Sequence, residues 1–162
     1  MTTYNDGVPA TPSVESHYGT LAGGDSYFSR RLNSASWEES TDSDKTKSLY
    51  EATALIDRLN FKGVKTDPTQ ELEFPRGGDT DVPTNIEYAT YELAIALLSG
   101  KTIEDNQTNV KRRKFGNQVE TEYDPRILVA SNLYAGIISK MAWSYLAPYL
   151  RNVTEVELVR VS

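Results

Sequence analysis

The chain predicts a mainly α fold: a helical bundle of about four to five helices with a β-hairpin insertion and an extended C-terminal tail. Three observations carry that expectation. Apolar residues recur at spacings of three and four through two long segments, two short strand-like runs flank Gly116-Asn117, and Pro and Gly gather between the periodic stretches rather than inside them. With 162 residues and 38% hydrophobic content, one domain can bury about two thirds of its unfolded surface and needs no covalent staple.

Residues 1–18 combine Gly7, Pro9, Pro12 and several Ser and Thr without apolar periodicity and read as a flexible arm. Thr20 is placed to cap a first helix over Leu21 to Leu32, which Gly23 and Gly24 weaken by about 1 kcal/mol each. Tyr27, Phe28 and Leu32 form its expected buried face. Asn33 to Ser36 reads as a turn, Trp37 opens a short helical piece, and Ser43 caps a longer helix reaching about Asn60. There Leu49, Ala52, Ile56 and Leu59 fall on one line, with Lys45, Lys47, Glu51 and Arg58 off it.

The stretch from Leu55 to Pro83 has no clear period, and compact domains seldom carry such a connection without a use for it. Its turn formers and aromatics, Phe61, Gly63, Asp67-Pro68, Phe74-Pro75-Arg76-Gly77-Gly78 and Val82-Pro83, predict an ordered surface loop presented to a partner. Pro83 then opens a helix that runs to Ser99 and stops at Gly100. It carries two apolar lines: Ile86, Ala89, Leu93, Ala96 and Leu97, and Tyr88, Tyr91, Ile95 and Leu98. Such a helix must be covered on more than one side, either at the centre of a monomeric bundle or with its second line against a neighbouring subunit.

Val110 to Phe115 and Val119 to Tyr123 predict the hairpin. The most apolar region, Ile127 to Leu150, reads as one helix or two, with Gly136 as the break and Pro148 near the end. Residues 19–150 form the expected domain. Beyond them, residues 151–162 hold the strand-like Val156, Leu158, Val159 and Val161, a tail suited to pairing with another chain by edge addition.

The chemistry-bearing residues point away from catalysis. Cysteine is absent and His17 is the single histidine, which removes thiol nucleophiles and multi-histidine metal sites. Asp79 and Asp81, with Glu71 and Glu73 nearby, lack the spacing of a calcium loop and read as capping or solubilising groups. Gly77-Gly78 after Arg76 lacks the Walker lysine. The expectation is a protein that is not an enzyme and takes no cofactor or metal. Its start shows no basic segment followed by an apolar core, and no run of about eighteen apolar residues predicts a membrane span.

A net charge of -6 and a pI near 4.9 oppose non-specific attraction to phosphates. Lys111-Arg112-Arg113-Lys114-Phe115 is the one basic run, a candidate contact for DNA or a protein partner. Between residues 104 and 123 its four cations are balanced by Glu104, Asp105, Glu120 and Glu122, so cross-strand pairing inside the hairpin is the more ordinary explanation.

Tyr18-Gly19-Thr20-Leu21-Ala22, Tyr27-Phe28, Arg31-Leu32-Asn33, Trp37, Glu51-Ala52-Thr53, Leu55 through Gly63, Phe74-Pro75-Arg76-Gly77, Val82-Pro83 and Ala142-Trp143-Ser144-Tyr145-Leu146 together resemble a tailed-bacteriophage family. Its members are often labelled DnaT-like single-stranded-DNA-binding proteins, and they also resemble the helical head-to-tail connector subunits of phage virions. The resemblance covers most of residues 18 to 150. It implies a homo-oligomeric ring of about twelve copies at the head–tail junction, contacting portal protein and tail or nozzle proteins while genomic DNA passes through. The alternative it implies is a single-stranded-DNA-binding accessory protein in phage replication. Under the connector reading, Tyr88, Tyr91, Ile95 and Leu98 with Phe61, Phe74 and Arg76 are the expected subunit interface, and the C-terminal tail is the portal or tail dock.

Overall fold

The computed structural model describes residues 16–102, 110–114, 120–123 and 131–151. Its architecture is mainly α, as the periodicity predicts. Helices α1 (Leu21–Phe28), α2 (Ala35–Glu38), α3 (Asp42–Ile56) and α4 (Thr84–Leu98) precede the hairpin strands β1 (Val110–Lys114) and β2 (Glu120–Tyr123). Then come α5 (Ser131–Tyr134), α6 (Lys140–Leu146) and a 3-10 turn over Ala147–Tyr149.

Helix α4 is the axis. Ile86, Ala89, Thr90, Leu93 and Ala94 have no exposed surface, and Tyr91, Glu92 and Ala96 are also buried, so the helix is enclosed around most of its circumference. Helices α3 and α6 pack along it, with α1 and α2 against its remaining side. Most of α4 is thus covered within one chain, while Tyr88, Ile95, Leu97 and Leu98 stay half-buried. Tyr91, expected to face a neighbouring subunit, points instead into α1, where its ring lies over Gly19 and Gly23 and its hydroxyl accepts a hydrogen bond from the Thr20 N–H at 3.0 Å.

The two glycines that weaken α1 as a helix thus make its packing feasible. A Cβ on Gly23 would collide with the Tyr91 hydroxyl, and one on Gly24 would sit 2.5 Å from Cζ2 of Trp37. Thr20 caps α1 as expected, its hydroxyl accepting from the Gly23 N–H at 3.0 Å. The helix ends at Phe28 rather than Leu32, because the chain turns back through Asn33 (φ 61°) to stack Trp37 on Phe28 at 4.9 Å. Leu32, expected in the core, is left 90% exposed by that turn.

Trp37 lies within α2, buried, and its indole N–H donates to Asp25 at 2.8 Å. Lys45 reaches the same carboxylate at 3.0 Å and lies 5.3 Å over the Trp37 ring, so a residue expected on the solvent side of α3 is buried as the lid of this aromatic. Helix α3 is capped by Thr41, not Ser43. The Asp44 N–H donates to the Thr41 hydroxyl at 3.2 Å and that hydroxyl donates to the Asp44 carboxylate at 2.9 Å, satisfying one of the free amides of the first turn. Leu49, Ala52 and Ile56 are fully buried, and α3 ends at Ile56, short of Asn60.

The loop from Asp57 to Pro83 is ordered by internal bonds. The Tyr18 hydroxyl donates to the Asp57 carboxylate and accepts from the Phe74 N–H at 3.1 Å, tying the chain entry, the end of α3 and the loop together. Phe61 and Phe74 are buried, ring to ring at 4.7 Å. Arg76 donates to the carbonyls of Lys62 at 3.0 Å and Gly63 at 2.7 Å and pairs with Glu73, which also takes Lys65 at 3.2 Å. The Lys62 N–H donates to the Tyr149 carbonyl and the Arg151 N–H to the Asn60 carbonyl, both at 2.9 Å, so the chain leaving α6 pairs with the loop. His17 and Tyr18, placed by sequence in the flexible arm, are buried in this assembly; residues 1–15 lie outside the described residues.

Gly136 (φ 80°) breaks the apolar segment between α5 and α6, and Ser139 caps α6 through the Ala142 N–H at 3.2 Å. The hairpin is antiparallel, with Arg112 opposite Glu122, Arg113 opposite Thr121 and Lys114 opposite Glu120. Its turn and the tail from residue 152 onward lie outside the described residues.

Two measurements check this packing. Helix propensity alone would make Gly24→Ala stabilising by about 1 kcal/mol, whereas the contact with Trp37 makes it destabilising by about 1–3 kcal/mol in urea unfolding. A gain in stability would mean that α1 does not pack so closely. Burial, outweighing the Tyr18 hydrogen bond, pushes the Asp57 carboxyl above its usual range. Its contribution is therefore present below the unfolded carboxylate value and lost as pH rises through the raised folded value. The stability difference between wild type and Asp57→Asn should shift toward wild type as pH falls from about 7 to about 4; a constant difference would contradict the burial.

Candidate nucleic-acid interface

A protein that holds a single strand needs cations for phosphates and accessible aromatic faces for bases. Among the described residues the two meet where α1, α4 and α6 come together. Tyr27, Tyr88 and Tyr145 form a half-buried series, with Tyr27–Tyr88 centroids 4.8 Å apart and Tyr88–Tyr145 5.8 Å apart. Arg30 and Arg31 leave the end of α1 beside them and help to line a groove of about 340 Å³ that also holds Glu87 and Thr84.

Arg31 is already committed. It pairs with Glu92 at 2.6 Å, donates to the Tyr27 hydroxyl at 2.6 Å and lies 5.2 Å over the Tyr27 ring. Tyr27 donates in turn to Glu92 at 2.7 Å. Glu92 is buried in α4, and these two donors neutralise a carboxylate that would otherwise be costly there. Burial first, and the Glu92 carboxylate next, push the Tyr27 hydroxyl far above its usual range, so it stays a donor. Burial likewise raises Glu87. Arg30, exposed and bonded to Ser26, is the freer cation of this surface.

On the far side of Arg31 lies a larger groove of about 680 Å³, walled by the α1–α2 turn, the last turns of α4 with Lys101, and the start of α6. Phe28, Ile95 and Ile138 line it, with Met141 46% exposed at its edge.

The expected subunit interface does not form one open face. Tyr91, Phe61 and Phe74 are buried within the chain, so they lend no surface to a neighbour; Tyr88, Ile95 and Leu98 are half-buried, and Arg76 is spent on the loop. The basic run Lys111–Lys114 forms β1, facing the acidic β2 in register as the charge count suggests. Phe115, Val156, Leu158, Val159 and Val161 lie outside the described residues.

His17 sits with Nδ1 3.1 Å from the Gly19 carbonyl and its ring edge-on to Tyr50. Among the described residues no group of three or more His, Cys, Asp or Glu side chains is placed to hold a metal ion, and no helix is long and apolar enough to cross a membrane.

Sequence reasoning missed the Tyr27–Arg31–Glu92 triad. The signal was present: Glu92 interrupts an apolar helix, and a carboxylate in such a place requires a cation, which Arg31 four residues after Tyr27 supplies.

Fold and surface together define a small, net acidic helical protein with a cluster of half-buried tyrosines beside Arg30 and Arg31. The family described as "Putative DnaT-like ssDNA binding protein" matches residues 3–161, and the chain belongs to that family. No curated protein and no solved structure matches it.

Proposed function

We propose that the chain is a single-stranded-DNA-binding accessory protein of a tailed phage, acting without catalysis. The observation that carries this reading is the family match along nearly the whole chain, residues 3–161. Two features support it: the half-buried Tyr27, Tyr88 and Tyr145, which pack on one another beside Arg30, and the basic strand Lys111–Lys114. With a net charge of -6, attraction must come from these local patches, so binding should be modest and strongly salt-dependent.

A second reading is favoured by the same charge and by the register that sets Glu122 and Glu120 opposite Arg112 and Lys114. In it the chain is a virion adaptor at the head–tail junction, a ring subunit contacting portal and tail proteins, past whose acidic wall DNA slides without being held.

Fluorescence anisotropy with a labelled single-stranded oligonucleotide separates the two. The first reading expects binding that weakens with salt, and Arg112→Glu with Arg113→Glu should lower the slope of log affinity against log salt by about 1.4 if each arginine meets one phosphate. Absence of binding even at low salt would sink it. A ring seen by low-resolution imaging on portal protein would then support the second.

A further inference from the structure

One charged group beside the tyrosine cluster is unspent. Glu87 is half-buried on α4 and lines the groove of about 340 Å³ between α1 and α4, yet among the described residues its carboxylate takes no hydrogen bond and no ion pair; burial, with no donor to offset it, raises the group. Both arginines of the groove are occupied elsewhere. Arg31 is held by Glu92 at 2.6 Å, and Arg30 rests on Ser26 through two long bonds of 3.2 and 3.4 Å. A place in the first turn of α4 suits a negative charge, but that benefit does not require a carboxylate to be partly desolvated in a groove.

An ionised carboxylate only accepts hydrogen bonds, through two oxygens side by side. The groove therefore offers two adjacent acceptors and, on the same rim, the loosely held cation Arg30. A matching ligand carries two adjacent donors and an anion. A strand of DNA brings the anion as phosphate, and among its four bases guanine alone sets two donors, N1–H and N2–H, next to each other. Adenine and cytosine put an acceptor beside the amino group, and thymine flanks its N3–H with two carbonyl oxygens. Both guanine donors lie on the Watson–Crick edge, which a duplex occupies and an open strand leaves free.

We propose that Glu87 reads an unpaired guanine, its two carboxylate oxygens accepting from N1–H and N2–H, while Arg30 holds a phosphate of the same strand. This role rests on the single-stranded-DNA reading and adds what that reading lacks, a group that tells one base from another and an open strand from a closed one. Cations such as Arg30 and those of β1 meet phosphates that carry no sequence. A carboxylate repels phosphate, so its presence on the rim of a DNA site calls for the donors of a base edge.

The test is fluorescence anisotropy at fixed salt with labelled thymine tracts of one length, in which isolated positions carry guanine, adenine, cytosine or hypoxanthine, the last being guanine without its N2 amino group. Wild type should bind the guanine tract roughly tenfold more tightly than the all-thymine tract, with hypoxanthine between them and adenine and cytosine no better than thymine. Annealing the guanine tract to its complement should abolish the advantage. In Glu87→Gln, whose amide sets one donor beside one acceptor, the guanine advantage should disappear while affinity for the all-thymine tract stays or rises, since a negative charge has been removed. Arg30→Gln should weaken every tract by a similar factor and leave the ratio intact. Because the readout is a ratio between strands, a change in net charge or in helix stability moves both arms together and does not imitate it. Equal binding of every tract by wild type, or a guanine preference kept by Glu87→Gln, would overturn the proposal and leave the single-stranded-DNA reading standing; no binding of any tract at low salt would overturn both.

Discussion

Helix α4 is apolar around nearly its whole circumference, and the rest of the molecule is arranged to cover it. Helices α3 and α6 take two flanks, and α1 and α2 cover the third through Tyr91 over the glycines and Trp37 of α2. Enclosure also sets the polar details. A carboxylate within such a helix must be neutralised, and Glu92 draws Arg31 and Tyr27 onto itself, which fixes the course of the chain just past α1.

Because the chain's own helices cover most of α4, much of the surface left for partners lies elsewhere. The loop from Asp57 to Pro83 is held at one end by Tyr18, which joins Asp57 to Phe74, and by backbone pairing of Asn60 and Lys62 with the segment after α6. Its aromatics are spent inward, and what it shows outside includes Val64, Lys62 and the carboxylates Asp67, Asp79 and Asp81. Recognition of DNA or of protein has therefore to work through edges and ends: the tyrosine series by Arg30, the basic strand β1, the groove above α6.

Local signals were readable where one residue type decides the outcome. Thr20 as a cap, the start of α4 after Pro83, the break at Gly136 and the antiparallel hairpin with its acidic and basic strands follow from capping, ring constraint and alternation. Long-range contacts were not readable. Periodicity put Lys45 on the wet side of α3 because it cannot know that Trp37, eight residues earlier, needs a lid. It assigned Leu32 to the core because it could not foresee the turn at Asn33, and it gave Tyr91 to a neighbouring subunit because the glycines that receive it lie some seventy residues away in sequence. His17 and Tyr18 looked like arm for the same reason: their partners are in α3 and the loop. At the candidate interface Tyr27 and Tyr88 were visible as packing residues, while their grouping with Arg30 and Arg31 belongs to the tertiary fold.

The most direct test is whether one chain alone seals α4. Native-state hydrogen exchange of the α4 amides, followed over roughly a hundredfold dilution, reads this without any substitution. Self-coverage requires that the amides from Tyr88 to Leu98 exchange only through global unfolding and keep their protection as the protein is diluted. Protection that falls with concentration would show that a second copy completes the core, and would contradict the account.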